Sequence, residues 1–504
     1  MGKQSCMLLA LLGLTTYVSA FKPQDYVTNL PDCNRLSSDW FSGYLNVSPT
    51  KQLHYVFVAS LDDPKNDPVV VWFNGGPGCS SLLALFQEHG PFVIDDGEYS
   101  IKQNPYPWNM RASVLYIESP AGVGFSWANS TKDKNQNDMS VSQDAFAALQ
   151  DWYLSFPEYL TNDLYISGES YGGIYVPYLA WQIHQWNQRA VFHKSMQSYN
   201  LKGYMVGNGA TNWDVDISPA YPEVVYNFHI IPKDLLDKYQ TLGCHFYFND
   251  VKKPNPDSKD CNDTWNAINT LAQDLNWYDL FRKVYPDNGL LAARAAFEKG
   301  TQKPLLKGSN RLQSVNVNGQ EKEYRVGMTM KEYTPWASHI SENKSHPLLG
   351  AYLTEYVNRP DVRQALHIPD FVQGWSQCSP DAQDYYNYQY EGSEWIYKVL
   401  KQYGYKILFF SGDTDGAVPT LGTRRWITNL KMKINDPWKP WMTDDGQVAG
   451  YMTRYDGLDF VTVHGAGHMA PQWKRIEVTT MITTWLHDEG EFKPVTPPTP
   501  PSQQ

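Results

Sequence analysis

Short runs of continuously apolar residues, each cut off by a turn rich in glycine, asparagine or aspartate, constrain this chain more than any other feature. Val69-Val-Val-Trp-Phe73, Ser113-Val-Leu-Tyr-Ile117, Lys406-Ile-Leu-Phe-Phe410 and Asp459-Phe-Val-Thr-Val463 carry apolar side chains at successive positions. Successive side chains of a strand point to opposite faces, so such a run needs both faces covered. The first stops at Asn74-Gly-Gly-Pro-Gly78 and the second at Ser119-Pro-Ala-Gly122, stretches that neither helix nor strand accommodates. His54 to Ala59 is strand-like, and Leu164-Tyr-Ile-Ser167 is a further short strand. Helical spacing occupies 82–86, 142–155, 174–186 and 478–486. Strand and helix alternate, which predicts an α/β fold: a mostly parallel central sheet with helices on both faces.

The pattern breaks between 211 and 353. There the chain becomes polar and helical, with scattered aromatics and no strong buried strand. Such a stretch reads as a mainly helical cap insertion, which divides an α/β core into a first part, 21–210, and a second, 354–490. The Pro-rich tail 491–504 is extended or disordered by composition. At the other end, Lys3, the apolar stretch from Met7 to Val18 and Val18-Ser-Ala20 have the form of a secretory signal peptide over 1–20. No later apolar run reaches the length of a membrane span, so no membrane anchor is expected.

Composition narrows the partners. A formal net charge of −11 with no basic run leaves nothing to neutralise phosphates, which excludes nucleic acid. Six cysteines are present; Cys6 falls in the leader, leaving Cys33, Cys79, Cys244, Cys261 and Cys378. In an oxidising compartment these mostly pair, and an odd number leaves one over. Cys244 and Cys261 are near enough in sequence to close a small loop. No CxxC occurs, which argues against structural zinc. Sequons at Asn46, Asn129, Asn262 and Asn343 fit a secreted chain, although Pro49 weakens the first.

Three segments carry chemistry. Gly168-Glu-Ser170-Tyr-Gly172 matches G-x-S-x-G and lies between a short strand and a helix, the setting in which a serine hydroxyl is exposed at a tight turn. The helix start beyond it offers backbone N–H groups to a developing oxyanion. A nucleophilic serine needs a base and an acid that orients the base, following it in the order acid then histidine. Asp413 and Asp415 follow one late strand, and His464 and His468 follow another. Spacing does not choose between the aspartates. The two histidines lack a third ligand, so no metal is expected. The glycines of Asn74–Gly78 would let backbone N–H groups approach the reacting carbonyl as a second oxyanion donor.

Asn74-Gly-Gly-Pro-Gly-Cys-Ser-Ser81, Gly168-Glu-Ser-Tyr-Gly-Gly173, Ser411-Gly-Asp-Thr-Asp415 and His464-Gly-Ala-Gly-His-Met-Ala-Pro471 together resemble the serine carboxypeptidase family. Ser119-Pro-Ala-Gly-Val-Gly-Phe-Ser126, Val206-Gly-Asn-Gly209 and Asn358-Arg-Pro-Asp-Val-Arg-Gln-Ala-Leu366 fall in family order as well. The resemblance implies an α/β-hydrolase fold and removal of the C-terminal residue of peptides and proteins. It implies Ser170 as nucleophile, His468 as general base and acid, Asp415 as orienter, and the amides of Gly76 and Tyr171 as oxyanion hole. It implies that Asn74, Gly75, Glu88 and Glu169 grip the substrate carboxylate, and that Cys79 pairs with Cys378 and Cys244 with Cys261, leaving Cys33.

Two neighbouring glutamates resist ionising together, so activity on free C-termini is expected to favour acid. No cofactor is expected, since acyl transfer by such a triad needs none. The expected partner is a peptide or protein C-terminus, a homodimer is compatible with the resemblance, and the compartment is lysosomal, vacuolar or extracellular. Acyl transfer to an alcohol, simple ester hydrolysis and a non-catalytic role in a lysosomal complex are the alternatives.

Overall fold

The computed structural model describes residues 22–282, apart from 34, 96, 97, 99, 131, 132, 134, 249 and 250. It also describes the strand pair 312–317 and 320–325, and residues 351–492. The expected leader at 1–20, the sequon at Asn343 and nearly all of the tail lie outside these residues.

Ten strands form the backbone of one sheet. They are β1 (Trp40–Ser48), β2 (Lys51–Val58), β3 (Val69–Phe73), β4 (Ser113–Ile117), β5 (Leu164–Glu169), β6 (Leu201–Gly207), β7 (Lys406–Gly412), β8 (Ile434–Met442), β9 (Val448–Tyr455) and β10 (Leu458–Val463). Their spatial order is β1-β2-β4-β3-β5-β6-β7-β10-β9-β8, and Trp127–Ala128 adds a short eleventh strand beside β2. Every pairing from β4 to β10 is parallel, while β1, β2, β8 and β9 attach antiparallel at the two edges. The continuous apolar runs are explained by what each face meets. Val70 and Trp72 pack into one buried cluster, and Val69, Val71 and Phe73 pack into the other on the opposite face. Val114 and Tyr116 divide from Leu115 and Ile117 in the same way.

Helices cover both faces. α1 (Asp138–Ser155) starts earlier than the apolar spacing suggests, because Asn137 and Ser140 cap it reciprocally at 2.9 Å each. α2 (Gly172–Phe192) begins directly after the Ser170 turn, and α3 (Arg475–Leu486) closes the chain against the core. The helical run anticipated at 82–86 ends instead in a wide π-type turn, Ala84–Glu88, which delivers the buried Glu88.

Within the span read as an insertion, helices occupy Tyr221–Asn227, Lys233–Thr241 and Lys259–Ala272. An antiparallel strand pair, Leu312–Val317 with Gln320–Arg325, was not anticipated there. Its sequence signal was present: alternating residues flank Asn318-Gly319, a strong two-residue hairpin sequence.

Disulfides join Cys79 to Cys378 and Cys244 to Cys261. The first fastens the loop after β3 to a segment 299 residues away, flanked by Ser80 N to Gln377 O at 2.7 Å and Ser379 N to Gly78 O at 2.8 Å. Cys33 is free and half-buried, its Sγ 3.7 Å from the Tyr356 hydroxyl, and burial pushes its thiol up to about 12. No described helix is long and apolar enough to cross a membrane.

Candidate active site

All the motif-bearing loops leave the sheet at one edge, because β3, β5, β7 and β10 run parallel and each ends at its carboxyl terminus. In open α/β sheets this edge is where ligands bind. Ser170 follows β5 with φ +60°, a left-handed backbone rare for a residue with a β-carbon. The turn is held by Ser170 N to Gly207 O at 3.1 Å and by Gly173 N and Ala210 N to Ser170 O at 2.9 Å each. Strain locked in by such bonds presents the side chain at the mouth of the turn, where Ser170 is half-buried.

The two aspartates left open by spacing separate in three dimensions. Asp415 Oδ2 lies 2.7 Å from His468 Nδ1, and both side chains are buried. Asp413 instead meets His464 Nδ1 at 2.8 Å and accepts from Gly465 N, in an exposed pair. Asp415 also accepts from Asn208 Nδ2 at 2.8 Å, Ala417 N at 2.7 Å and Val418 N at 3.2 Å. A carboxylate with this many donors is fixed in place as an acceptor for the imidazole N–H. The opposite ring nitrogen, His468 Nε2, is buried and has no hydrogen-bond partner among the described residues. Ser170 Oγ and His468 Nε2 are not hydrogen-bonded to each other in this structure; such contacts often tighten only once substrate is bound.

Beyond β3, Asn74 sits between two buried glutamates. Its Nδ2 donates to Glu88 Oε1 at 3.0 Å and Glu169 Oε1 at 2.9 Å, and its own position is fixed by Trp72 Nε1 on Oδ1 at 2.9 Å. Burial pushes the Glu88 carboxyl up, only partly offset by the Asn74 bond and the more distant Arg475 charge. Burial, then repulsion from Glu88, pushes Glu169 up further. One carboxyl of the pair therefore holds a proton under conditions that ionise an ordinary glutamate. Arg475 braces the Glu88 turn by donating to Gln87 O at 2.6 Å and Glu88 O at 3.0 Å.

Gly75 lies against the Ser170 turn. A β-carbon there would stand 2.4 Å from Tyr171 N and 2.6 Å from Ser170 Cβ. The amides of Gly76 and Tyr171 donate to no acceptor among the described residues, which leaves two N–H groups on either side of this contact. Gly75→Ala is expected to lower kcat by roughly 10²-fold or more, the order that follows a misplacement of about 1 Å, with folding retained. Steady-state kinetics beside a melting curve checks it.

Sequence reasoning singled out the VGNG segment but gave Asn208 no role. In the structure it ties the acid loop together, donating to Asp415 and accepting from Gly412 N at 2.9 Å. Its signal was an asparagine directly after a buried strand, at the same edge as the other motifs. Tyr278, which approaches His468, carries no signal, because it lies outside every motif, in the span read as an insertion. No cluster of three or more metal-binding side chains occurs among the described residues.

A serine held in a left-handed strand-to-helix turn at the carboxyl edge of a mostly parallel sheet is the arrangement of the α/β-hydrolase class. The serine carboxypeptidase family matches residues 31–488. The mouse lysosomal protective protein is 35% identical over 497 residues, covering 96% of this chain and 98% of that protein. Serine carboxypeptidase-like 32 of Arabidopsis thaliana is 32% identical over 95% of this chain and 96% of its own length. In fold, the crystal structure of Kex1(delta)p, a prohormone-processing carboxypeptidase from Saccharomyces cerevisiae, superposes with a TM-score of 0.68. That likeness is at 19% identity and covers 92% of this chain and 94% of that one. The chain belongs to the serine carboxypeptidase family.

Proposed function

We propose that Ser170, His468 and Asp415 act as a catalytic triad that removes single residues from free peptide C-termini through an acyl-enzyme. Ser170 Oγ attacks the last peptide carbonyl while His468 Nε2 takes its proton. Asp415 holds the imidazole by Nδ1–H and stabilises its cationic form. The Gly76 and Tyr171 amides donate to the oxyanion. When the C–N bond breaks, His468 returns the proton to the leaving amine. Water then repeats the sequence on the ester and frees Ser170.

The observation that carries the choice of substrate is the Asn74-bridged pair Glu88 and Glu169, beside the nucleophile turn. A protonated carboxyl and an amide N–H can both donate to a substrate carboxylate, and Gly75 adds its backbone. A general esterase or an acyltransferase has no need of a buried site for a free carboxylate. This favours peptides with free C-termini, although acyl transfer to an alcohol would use the same acyl-enzyme.

The pH dependence follows from the raised pair. In acid one carboxyl is protonated and donates; as pH rises through the elevated value, both become anionic and repel the substrate carboxylate. For an N-blocked dipeptide, kcat/KM is expected to fall by up to roughly tenfold per pH unit beyond that point, as loss of one required proton dictates. Hydrolysis of the matching C-terminal ester should not fall there, and Glu169→Gln should flatten the decline. A dipeptide profile that climbs steadily from pH 5 to 7.5 would refute this reading. Stability moves in the same direction. A carboxyl raised on folding contributes fully below its ordinary value and loses that contribution as pH climbs through the folded one.

Passage through the secretory pathway is part of the same reading. It is supported by the leader-like sequence, two disulfides, exposed Asn46, Asn129 and Asn262, and the lysosomal name of the mouse relative. Loss of mass on enzymatic deglycosylation of the secreted protein tests the sequons. The mature chain is read as a core of 21–210 and 354–490 carrying a cap at 211–353, and assembly as a homodimer is testable by its mass in solution.

A further inference from the structure

We propose that residues 276–280 form a strap by which the insertion positions the Asp415–His468 pair, with Tyr278 as the positioning residue. The proposal rests on the triad reading above and adds a part of the chain that no catalytic motif includes. The strap crosses both loops of the pair at once. Tyr278 O accepts from His468 N at 2.6 Å, and Trp277 O accepts from Gly416 N at 3.1 Å. Leu280 N donates to Thr414 O at 3.0 Å, and Thr414 Oγ1 donates to Asp279 Oδ1 at 2.9 Å. The Tyr278 ring stands edge-on to the His468 imidazole, with centroids 4.9 Å apart and planes at 65°. Farther along, the Arg282 guanidinium lies 4.4 Å over the ring of Trp473, just past the histidine loop.

One motif glycine, Gly467, and the glycine directly after the Asp415 motif, Gly416, are accounted for by this crossing. A β-carbon on Gly467 would meet Tyr278 O at 2.2 Å, and one on Gly416 would meet Trp277 O at 2.8 Å. The histidine loop carries Gly465 at φ +68°, and its own ties, Gly465 N to Asp413 at 2.8 Å and Thr414 N to Ala466 O at 2.9 Å, lie upstream of His468. Asp415 fixes one edge of the imidazole by a single bond. The strap supplies what is missing: an anchor for the His468 backbone and a wall against the ring. His468 Nε2 must receive a proton from Ser170 and return it to the leaving amine. Both transfers need the ring held within a fraction of an ångström.

The test compares Tyr278→Leu, which removes the ring, with Tyr278→Phe, which keeps it, on the full chain with an N-blocked dipeptide. Tyr278→Leu is expected to lower kcat by roughly 10- to 100-fold with KM within about threefold, as loss of positioning dictates. It should slow sulfonylation of Ser170 by phenylmethanesulfonyl fluoride by a similar factor, a readout independent of peptide binding. Tyr278→Phe should keep at least about a third of both rates. A folded Tyr278→Leu protein with unchanged kcat, or with a raised KM alone, would overturn the proposal. If Tyr278→Leu does not fold, Thr414→Val decides. It removes one strap bond at nearly constant volume and is expected to cost about 3- to 10-fold in kcat at unchanged KM; an unchanged kcat overturns the strap. Ser170→Ala and His468→Ala run alongside. If they stay active, the triad reading itself fails; if they are inactive while the strap variants are fully active, only the strap fails.

Discussion

Ser170→Ala is expected to lower kcat/KM for an N-blocked dipeptide by roughly 10⁴- to 10⁶-fold, the cost of removing a triad nucleophile. The melting temperature should stay within a few degrees of wild type. On the proposed mechanism the loss follows from chemistry: the other hydroxyl of the turn, that of Tyr171, is committed to Asp138 at 2.8 Å, and amide donors to an oxyanion alone leave only a small residual rate. The unchanged stability follows from structure. Alanine keeps the β-carbon that already sits at φ +60°, and among the described residues Ser170 Oγ makes no hydrogen bond whose loss would expose a partner. Ester hydrolysis should fall in parallel with peptide hydrolysis, because both pass through the same acyl-enzyme. A variant that kept its peptidase rate would move the nucleophile elsewhere.

Asp415→Asn is expected to cost roughly 10³- to 10⁴-fold in kcat, the range seen when a triad acid becomes an amide. Asp413→Asn should stay within about threefold, as suits an exposed ion pair. The two aspartates differ by two positions in sequence, and their environments explain the contrast. Asp415 is buried and receives Asn208 Nδ2, two backbone amides and the imidazole, all as donors. An asparagine there would set its own NH₂ against one of those donors and favour the wrong imidazole tautomer. Asp413 faces solvent with His464 and can exchange that partner for water. Equal losses in both variants, measured with the same substrate at the same pH, would show that the pairing with His468 does not set the rate.

Asn208 marks how far motif reading reaches. Its residue type, its place after β6 and its edge of the sheet were all visible, yet its role depends on Asp415 lying 207 positions away. The glutamate pair is similar. Glu169 adjoins Ser170 in sequence, but Glu88 arrives through a π-type turn, and only the fold sets Asn74 to donate to both carboxyls. The strand pair at 312–325 was a different kind of miss. Its signal was local, and it was outweighed by the helical, polar character of the surrounding stretch.

By itself the sequence determined the class of fold. Apolar runs of about five residues, each cut off by a Gly-rich turn, are too short for buried helices and fit a sheet buried on both faces, and that requirement is local. The sequence also determined the Ser170 turn, since strand, glycines, serine and helix are contiguous. Spacing left two aspartates open and the family resemblance pointed to Asp415; only the tertiary structure shows Asp415 bonded to His468, Asn74 joining Glu88 to Glu169, and residues 276–280 lying across the histidine loop. Each of these depends on the directions and depths of loops that meet at one sheet edge from distant parts of the chain. Spacing along a sequence carries no information on such angles, while a bond of 2.7 Å between buried groups requires them to be right.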